Sequence, residues 1–437
     1  MRFLGIGDTC DLGALYQRLI SEGHDVKVSV AEPLAQGTMA GLVPHTANWE
    51  DELDWISSAG NDGIILFENV AKSRGELQDR LRREGFQVIG GSAYGDRLEN
   101  DRAYAQHVLA GIGLQTCRVS EFEDVALANK FLDQNPGRYV LKFNGPAFSS
   151  NENYVGRLAD SADVRAVLRA KQPQLKESRG SFILMEHVEG VEMGVGAYFN
   201  GTDFIGRACL DWEHKRFFPG NLGELTGEMG TVATFDRSGK FFARTLAPMA
   251  PLLRKGGYCG YINLNTIVNE KGIWPLEFTC RFGYPGFAVL SPLQETPWAD
   301  LFSAMASGKG GAKMRQGFCV AIVLTTPPFP YDRKTVEEAV GLPIFFDGAL
   351  TAKDQAHLYY GEVGLAEDQL VTSGKYGWTM VATGVADNIP QAQKKACDLA
   401  DRIIAPNVRY RRDIGNELTA RDYGRVERLD LFDAIGT

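Results

Sequence analysis

The sequence predicts an α/β and α+β multidomain protein, and three observations carry that prediction. Strand and helix alternate through residues 1–100, the pattern of a parallel sheet covered by helices. A hairpin with a clear turn sequence follows in the middle of the chain, and residues 317–437 read mostly as strands with one late helix. At 437 residues the chain is also too long for one ordinary core, so two to four domains are expected.

The elements follow in order. Residues 2–6 form a short apolar strand, 12–22 carry apolar side chains at helical spacing, and 26–30 alternate as a strand. The turn Gly60-Asn-Asp-Gly63 precedes a continuous apolar strand at 64–67. A charged amphipathic helix spans 73–84, and Val88-Ile89 opens a strand that ends at Gly90-Gly91. A helix is expected over 101–112, before Gly113. Residues 139–143 form a strand that runs into a polar loop, 144–154, and 161–170 form a helix. Strands at 182–187 and 193–199 flank Glu189-Gly190. A helix covers 240–255, and strands 261–268 and 273–278 make a hairpin around Asn269-Glu-Lys-Gly272. The helix at 298–307 stops at Gly308-Lys-Gly-Gly311, and the last helix lies near 390–404.

Composition narrows the class. Hydrophobic residues make up 44% and charged residues 23%, the balance of a folded soluble protein. The net charge of −9 argues against a nucleic-acid partner, which needs a basic face. The N-terminus lacks the apolar run of a signal peptide, and no segment reaches the length of a membrane span. The seven cysteines are scattered without paired spacing and read as reduced thiols. A cytoplasmic enzyme, monomer or homodimer, acting on small molecules is the expectation.

The most informative segment is Leu276-Glu-Phe-Thr-Cys-Arg-Phe-Gly-Tyr-Pro285. Alternation on a strand sends Glu277, Thr279 and Arg281 to one face. A carboxylate and an arginine that close suit a site for Mg²⁺ and an anionic intermediate. The segment resembles the E-F-N-x-R-F-G-D-P-E signature of the glycinamide ribonucleotide synthetase family. Glu277 and Arg281 match, while Thr279, Tyr284 and Gly286 replace the Asn, Asp and second Glu. The resemblance implies metal ligation by Glu277 and Thr279, with Asn263 or Asn265 on the paired strand adding an oxygen. It places Arg281 at the phosphates and the reacting acyl group.

Further segments extend the likeness. Phe182-Ile-Leu-Met-Glu-His-Val-Glu-Gly-Val-Glu192 is similar to the family's hinge. That implies adenine contacts from the backbone of Glu186 and Val188 and a ribose contact from Glu192, with His187 a packing residue. Lys142 and Gly145 match the family's strand and phosphate loop, although the loop lacks the second glycine and lysine; Arg102 stands where the other nucleotide lysine is found. A cation at a strand end followed by backbone amides suits a phosphate. Asp211-Trp-Glu-His-Lys-Arg216, followed by Gly223-Glu-Leu-Thr-Gly-Glu-Met-Gly230, is similar to D-H-K-R and G-P-N-T-G-G-M-G. It implies His214 and Lys215 at the transferred phosphate and Thr226 and Gly227 on the substrate side, with Leu225 and Glu228 as departures. Tyr410-Arg-Arg-Asp-Ile-Gly415 matches the family's closing motif, and Val371-Thr-Ser-Gly-Lys375 matches another in part. The likeness is weakest in the first loop, where Asp8 and Asp11 replace an arginine and its neighbours. A dinucleotide site at Gly5 and Gly7 is rejected because the third glycine is missing from its place.

The resemblance implies an ATP-grasp fold. It would comprise an N-terminal parallel-sheet α/β domain (1–100), a two-lobed ATP-grasp domain (101–315, hinge near 185–192) and a C-terminal α+β domain (316–437). It implies ATP with Mg²⁺ or Mn²⁺, and amide formation between a carboxylate and an amine through an acyl phosphate, releasing ADP and phosphate. Three readings follow: such a ligase with a changed substrate pair, a genuine phosphoribosylamine–glycine ligase of purine synthesis, or an ATP-binding homologue without catalysis. The departures at Asp8, Asp11, Leu225, Glu228, Tyr284 and Gly286 lie on the substrate side and favour the first.

Overall fold

The computed structural model describes residues 1–68, 72–144, 148, 152–284, 286–334, 336 and 340–434. The N-terminal strands β1 (Arg2–Gly7), β2 (Asp25–Val30), β3 (Gly63–Phe67) and β4 (Gln87–Ile89) form one sheet in the order β2-β1-β3-β4. Every pairing is parallel, with Phe3 opposite Val26 and Ile64. Both faces of β1 and β3 are buried, which is why those strands are continuously apolar.

A second, small lobe is built on β5 (Val119–Phe122), β6 (Tyr139–Phe143), β7 (Tyr154–Val155) and β8 (Phe182–Glu186), in the order β5-β8-β6-β7. The helices Val125–Gln134 and Ala162–Ser178 cover it. Leu132, Leu141, Val164, Leu168, Phe182 and Leu184 make a core separate from the main one.

The main body is one eight-stranded antiparallel sheet. It takes β9 (Val191–Asn200), β10 (Phe204–Glu213), β13 (Gly230–Thr234), β14 (Cys259–Asn269), β15 (Gly272–Thr279), β16 (Phe318–Thr325), β18 (Leu358–Tyr360) and β21 (Trp378–Ala386). Their order is β15-β14-β9-β10-β13-β16-β21-β18. Between β10 and β13, the ribbon of β11 (Arg216–Phe218) and β12 (Leu222–Leu225) projects from the sheet. Two more short pairs complete the chain: β17 (Phe345–Phe346) with β22 (Ile403–Ile404), and β19 (Val363–Ala366) with β20 (Gln369–Thr372). The helix Ile389–Ala400 packs against β16 and β21. No helix among the described residues is long and apolar enough to cross a membrane.

Several expectations are adjusted. The stretch 240–255 is two short helices, Gly239–Arg244 and Ala250–Lys255, joined by a turn at Ala247–Met249. Pro248 and Pro251 lack the amides a continuous helix would need. The helix Ala93–Asn100 was not expected; Ser92 caps it by accepting from the Gly95 amide at 3.2 Å. The helix expected at 161–170 runs on to Ser178. The sheet also crosses position 315/316, since β13 pairs with β16 through Val232 opposite Val320.

Candidate active site

Where the small lobe faces the large sheet, a cavity of about 460 Å³ opens. β14 and β15 form its base, with Asn265 opposite Glu277 and Asn263 opposite Thr279. Alternation on β15 turns Glu277 and Thr279 inward, and Arg281 just beyond the strand also lines the cavity. Three cations converge on Glu277. Lys142, near the end of β6, and Arg102, in the first turn of helix Arg102–Gly111, lie 3.3 and 3.2 Å from its Oε2. Lys215 lies 3.5 Å from Oε1. Lys142 foremost, then Lys215 and Arg102, hold the Glu277 carboxyl far below the usual range against the cost of burial.

Lys215 has other carboxylates at hand, Glu213 at 3.0 Å and Glu192 at 3.3 Å. Burial works against its charge, but Glu213, Glu192 and Glu277 together keep it protonated well beyond its ordinary range. Burial lowers the pKa of Lys142, and Glu277 opposes that shift. Asn265 donates Nδ2 to Glu192 at 2.8 Å, which ties the expected ribose carboxylate to the strand below. Arg102 Nη1 is buried without a hydrogen-bond partner among the described residues, a donor still to be satisfied.

The hinge forms one wall. Glu186, His187 and Val188 line the cavity. The amides of Glu186 and His187 donate to the carbonyls of Arg118 and Arg138, each at 3.0 Å, and fix the end of β8. Arg138 also contacts His187 Nε2 at 3.3 Å and pairs with Glu189. Burial and the Arg138 charge lower the His187 pKa, consistent with a packing residue.

Arg281 is held by a residue that sequence reasoning missed. Glu99, on the unexpected helix Ala93–Asn100, accepts from Arg281 Nε at 3.0 Å and from the Cys280 amide at 2.9 Å. Ser92, followed by helix-forming residues, was the available signal for that helix. Asp211 and Glu213 were missed as site residues too, and both line the cavity.

Two expected residues stand elsewhere. His214 does not line the cavity: alternation turns Glu213 and Lys215 inward and His214 to the opposite side. Its Nε2 accepts from the Gly415 amide at 3.1 Å, fastening the Tyr410-to-Gly415 segment beneath the site. Burial, then the Arg411 charge, depress its pKa to about 4, so it stays neutral. Asp8 is likewise absent from the wall; its carboxylate lies 2.8 Å from Arg74. Thr226 and Gly227 do line the cavity. The Thr226 hydroxyl donates to the Lys215 carbonyl at 2.7 Å, holding the loop against the strand end. Gly145 lies outside the described residues.

The donor set around Glu277 is oxygen: its carboxylate, the Thr279 hydroxyl and the Asn265 amide oxygen. No group of three His, Cys, Asp or Glu among the described residues is arranged to hold a metal. Such a set fits Mg²⁺ or Mn²⁺ arriving with nucleotide phosphates, since these ions take few protein ligands there.

Comparison with known proteins bears on the fold that carries this cavity. Residues 100–287 match the family described as phosphoribosylglycinamide synthetase, ATP-grasp (A) domain. A phosphoribosylamine–glycine ligase of Nostoc sp. is 27% identical over 383 residues, covering 84% of this chain and 87% of the relative. One of Mycobacterium bovis is 26% identical over 436 residues, covering 95% and 98%. Among solved structures, phosphoribosylamine–glycine ligase of Thermotoga maritima aligns with a TM-score of 0.72 at 20% identity, covering 95% of this chain and all (100%) of that one. The biotin carboxylase domain of Hydrogenobacter thermophilus 2-oxoglutarate carboxylase, in a complex with MgADP, aligns at 0.62 with 12% identity, covering 99% and 98%. The fold is ATP-grasp, and residues 100–287 are similar to the ATP-grasp domain of the phosphoribosylglycinamide synthetase family.

Proposed function

We propose that this protein is an ATP-dependent carboxylate–amine ligase that forms an amide through an acyl phosphate and releases ADP and phosphate. The observation that carries this reading is the convergence of Arg102, Lys142 and Lys215 on the single carboxylate of Glu277, inside a cavity between two lobes. Without nucleotide these cations neutralise Glu277. When a triphosphate enters, the same side chains are placed to neutralise its oxygens, and positioning with charge stabilisation supplies most of the rate in phosphoryl transfer. Glu277, with Thr279 and Asn265, would hold Mg²⁺, which supplies charge neutralisation at the phosphates. Arg281, locked by Glu99, stands where the acyl phosphate would develop charge. The Glu186–Val188 wall would take the adenine edge, and Glu192 the ribose.

The reaction class is carried over from the relatives; the substrate pair is not. In the first loop Asp8 is paired with Arg74, and neither it nor Asp11 lines the cavity, so a changed substrate pair rests on the cavity residues themselves. Tyr284 and Glu228 reshape the cavity wall opposite the nucleotide. Retention of Glu277 with its three cations speaks against an ATP-binding protein without catalysis. All seven cysteines are free and buried, which supports a reducing, cytoplasmic setting.

The test is product analysis with MgATP over a panel of carboxylates and amines. ADP and phosphate should accumulate in step with amide, and stoichiometric AMP and pyrophosphate would sink the mechanism. Freshly generated phosphoribosylamine with glycine should give little glycinamide ribonucleotide. Turnover on the order of 1 s⁻¹ or faster would instead restore the purine-synthesis reading.

A further inference from the structure

The loop between β12 and β13 places Glu228 against the cavity. Glu228 is only 6% exposed, and its Oε1 has no hydrogen-bond partner among the described residues. Thr231, 3% exposed on β13, lines the same cavity and its hydroxyl is also unpartnered there. Two buried polar groups facing one cavity without partners point to a ligand that supplies them.

The surroundings define what that ligand is. Asp211 and Glu213 sit two apart on β10, on the cavity face. Asp211 accepts one amide from Asn263 at 2.5 Å. The nearest cation, Lys215, is already shared among Glu213, Glu192 and Glu277, and Arg281 is held by Glu99. Carboxyl groups therefore outnumber cations around Glu228, and ionising a buried carboxyl without a counter-charge is costly. Part of the cavity wall is aromatic. The rings of Tyr284 and Trp378 lie 5.0 Å apart, and the Tyr284 hydroxyl donates to the Trp378 carbonyl at 3.4 Å. Gly227 lets the indole seat closely: a Cβ there would lie 2.7 Å from it.

We propose that Glu228 receives the ammonium group of the amine substrate, in a subsite whose Tyr284–Trp378 wall takes an alkyl or arylalkyl body and which rejects amines carrying phosphate. This rests on the ligase reading and names the class of its amine. Burial, and then the charges of Glu213 and Asp211, raise the Glu228 pKa well above its ordinary value. A cation in the subsite relieves that penalty, and an aromatic face adds cation–π attraction.

The test uses the full chain with MgADP and calorimetric titration of phenethylamine, 2-phenylethanol and O-phosphoethanolamine. Phenethylamine should bind about 10-fold or more tighter than the alcohol, the scale of one charged hydrogen bond, with phosphoethanolamine weakest. Glu228→Gln should erase the preference for amine over alcohol and leave ADP affinity unchanged. Equal binding of amine and alcohol to the wild type would overturn the proposal, and that comparison needs no variant to fold. So would tight phosphoethanolamine binding, or a preference that survives Glu228→Gln. Failure of MgADP itself to bind would instead remove the ligase reading, and this proposal with it.

Discussion

Glu277 offers one carboxylate to Lys142, Arg102 and Lys215, so its removal acts on all of them. Glu277→Ala should reduce turnover by about 10² or more, the scale of deleting a principal electrostatic group, with circular dichroism unchanged. Lys142→Ala should mainly weaken nucleotide binding, read as a raised Kd for ATP. Near-wild-type kinetics for Glu277→Ala would displace the site from β15. These residues were legible in the sequence because each stands in a short segment with fixed spacing. His214 was not, although it adjoins Lys215, because neighbouring residues at a strand end face opposite ways. Glu228 was visible as a departure, but its burial beside Asp211 and Glu213 depends on how β10 and β13 pair, through Glu213 opposite Thr231.

The helix Ala93–Asn100 shows how an element outside the site governs it. Glu99 reaches from that helix to both the Arg281 side chain and the Cys280 amide. Glu99→Ala should leave a largely buried guanidinium without its counter-charge and cost about 1–3 kcal/mol of stability. Turnover should fall about 10-fold while ATP affinity changes little, because the nucleotide cations lie elsewhere; Glu99→Gln should restore part of both losses. A variant with reduced ATP affinity and normal turnover would remove Arg281 from the acyl side. The strands were read to within a few residues wherever apolar alternation was clean, as at β6 and β15. β10 and β13 escaped notice, since β13 and the second half of β10 are buried on both faces, which removes the alternation. Strand order is set by non-local pairing, so nothing local in residues 316–325 announces that β16 continues the sheet of β13. The helix expected at 240–255 failed for a local reason, its two prolines.

Stability of the whole molecule should fall as pH rises from about 6.5 to 8.5. Glu68 and Glu362 are buried, and burial pushes their pKa values up to about 8 and about 7. An acid raised in the folded state contributes stability that is full below its unfolded pKa and lost as pH climbs through the folded one. Burial holds His214 and His357 down at about 4, so they act in the opposite sense, and their contribution is lost as pH falls from about 6.5 toward that value. Between about pH 4.5 and 6.5 the two acids and the two histidines offset one another, so the thermal midpoint should change little there and drop by a few degrees between about pH 6.5 and 8. A flat or rising profile across that upper range would contradict the burial of these acids. The separate core of the small lobe has a different consequence, in time. The helix Arg102–Gly111 leads into the lobe from the main core, and residues 187–190 lead out of it. Such a unit opens on its own, at a free energy below that of global unfolding. In hydrogen exchange, amides of Val119–Phe122 and Phe182–Glu186 should exchange as one group, faster than those of β14, and MgATP should slow them together. The tempo of catalysis would then be set by how often this lobe swings away to let product leave.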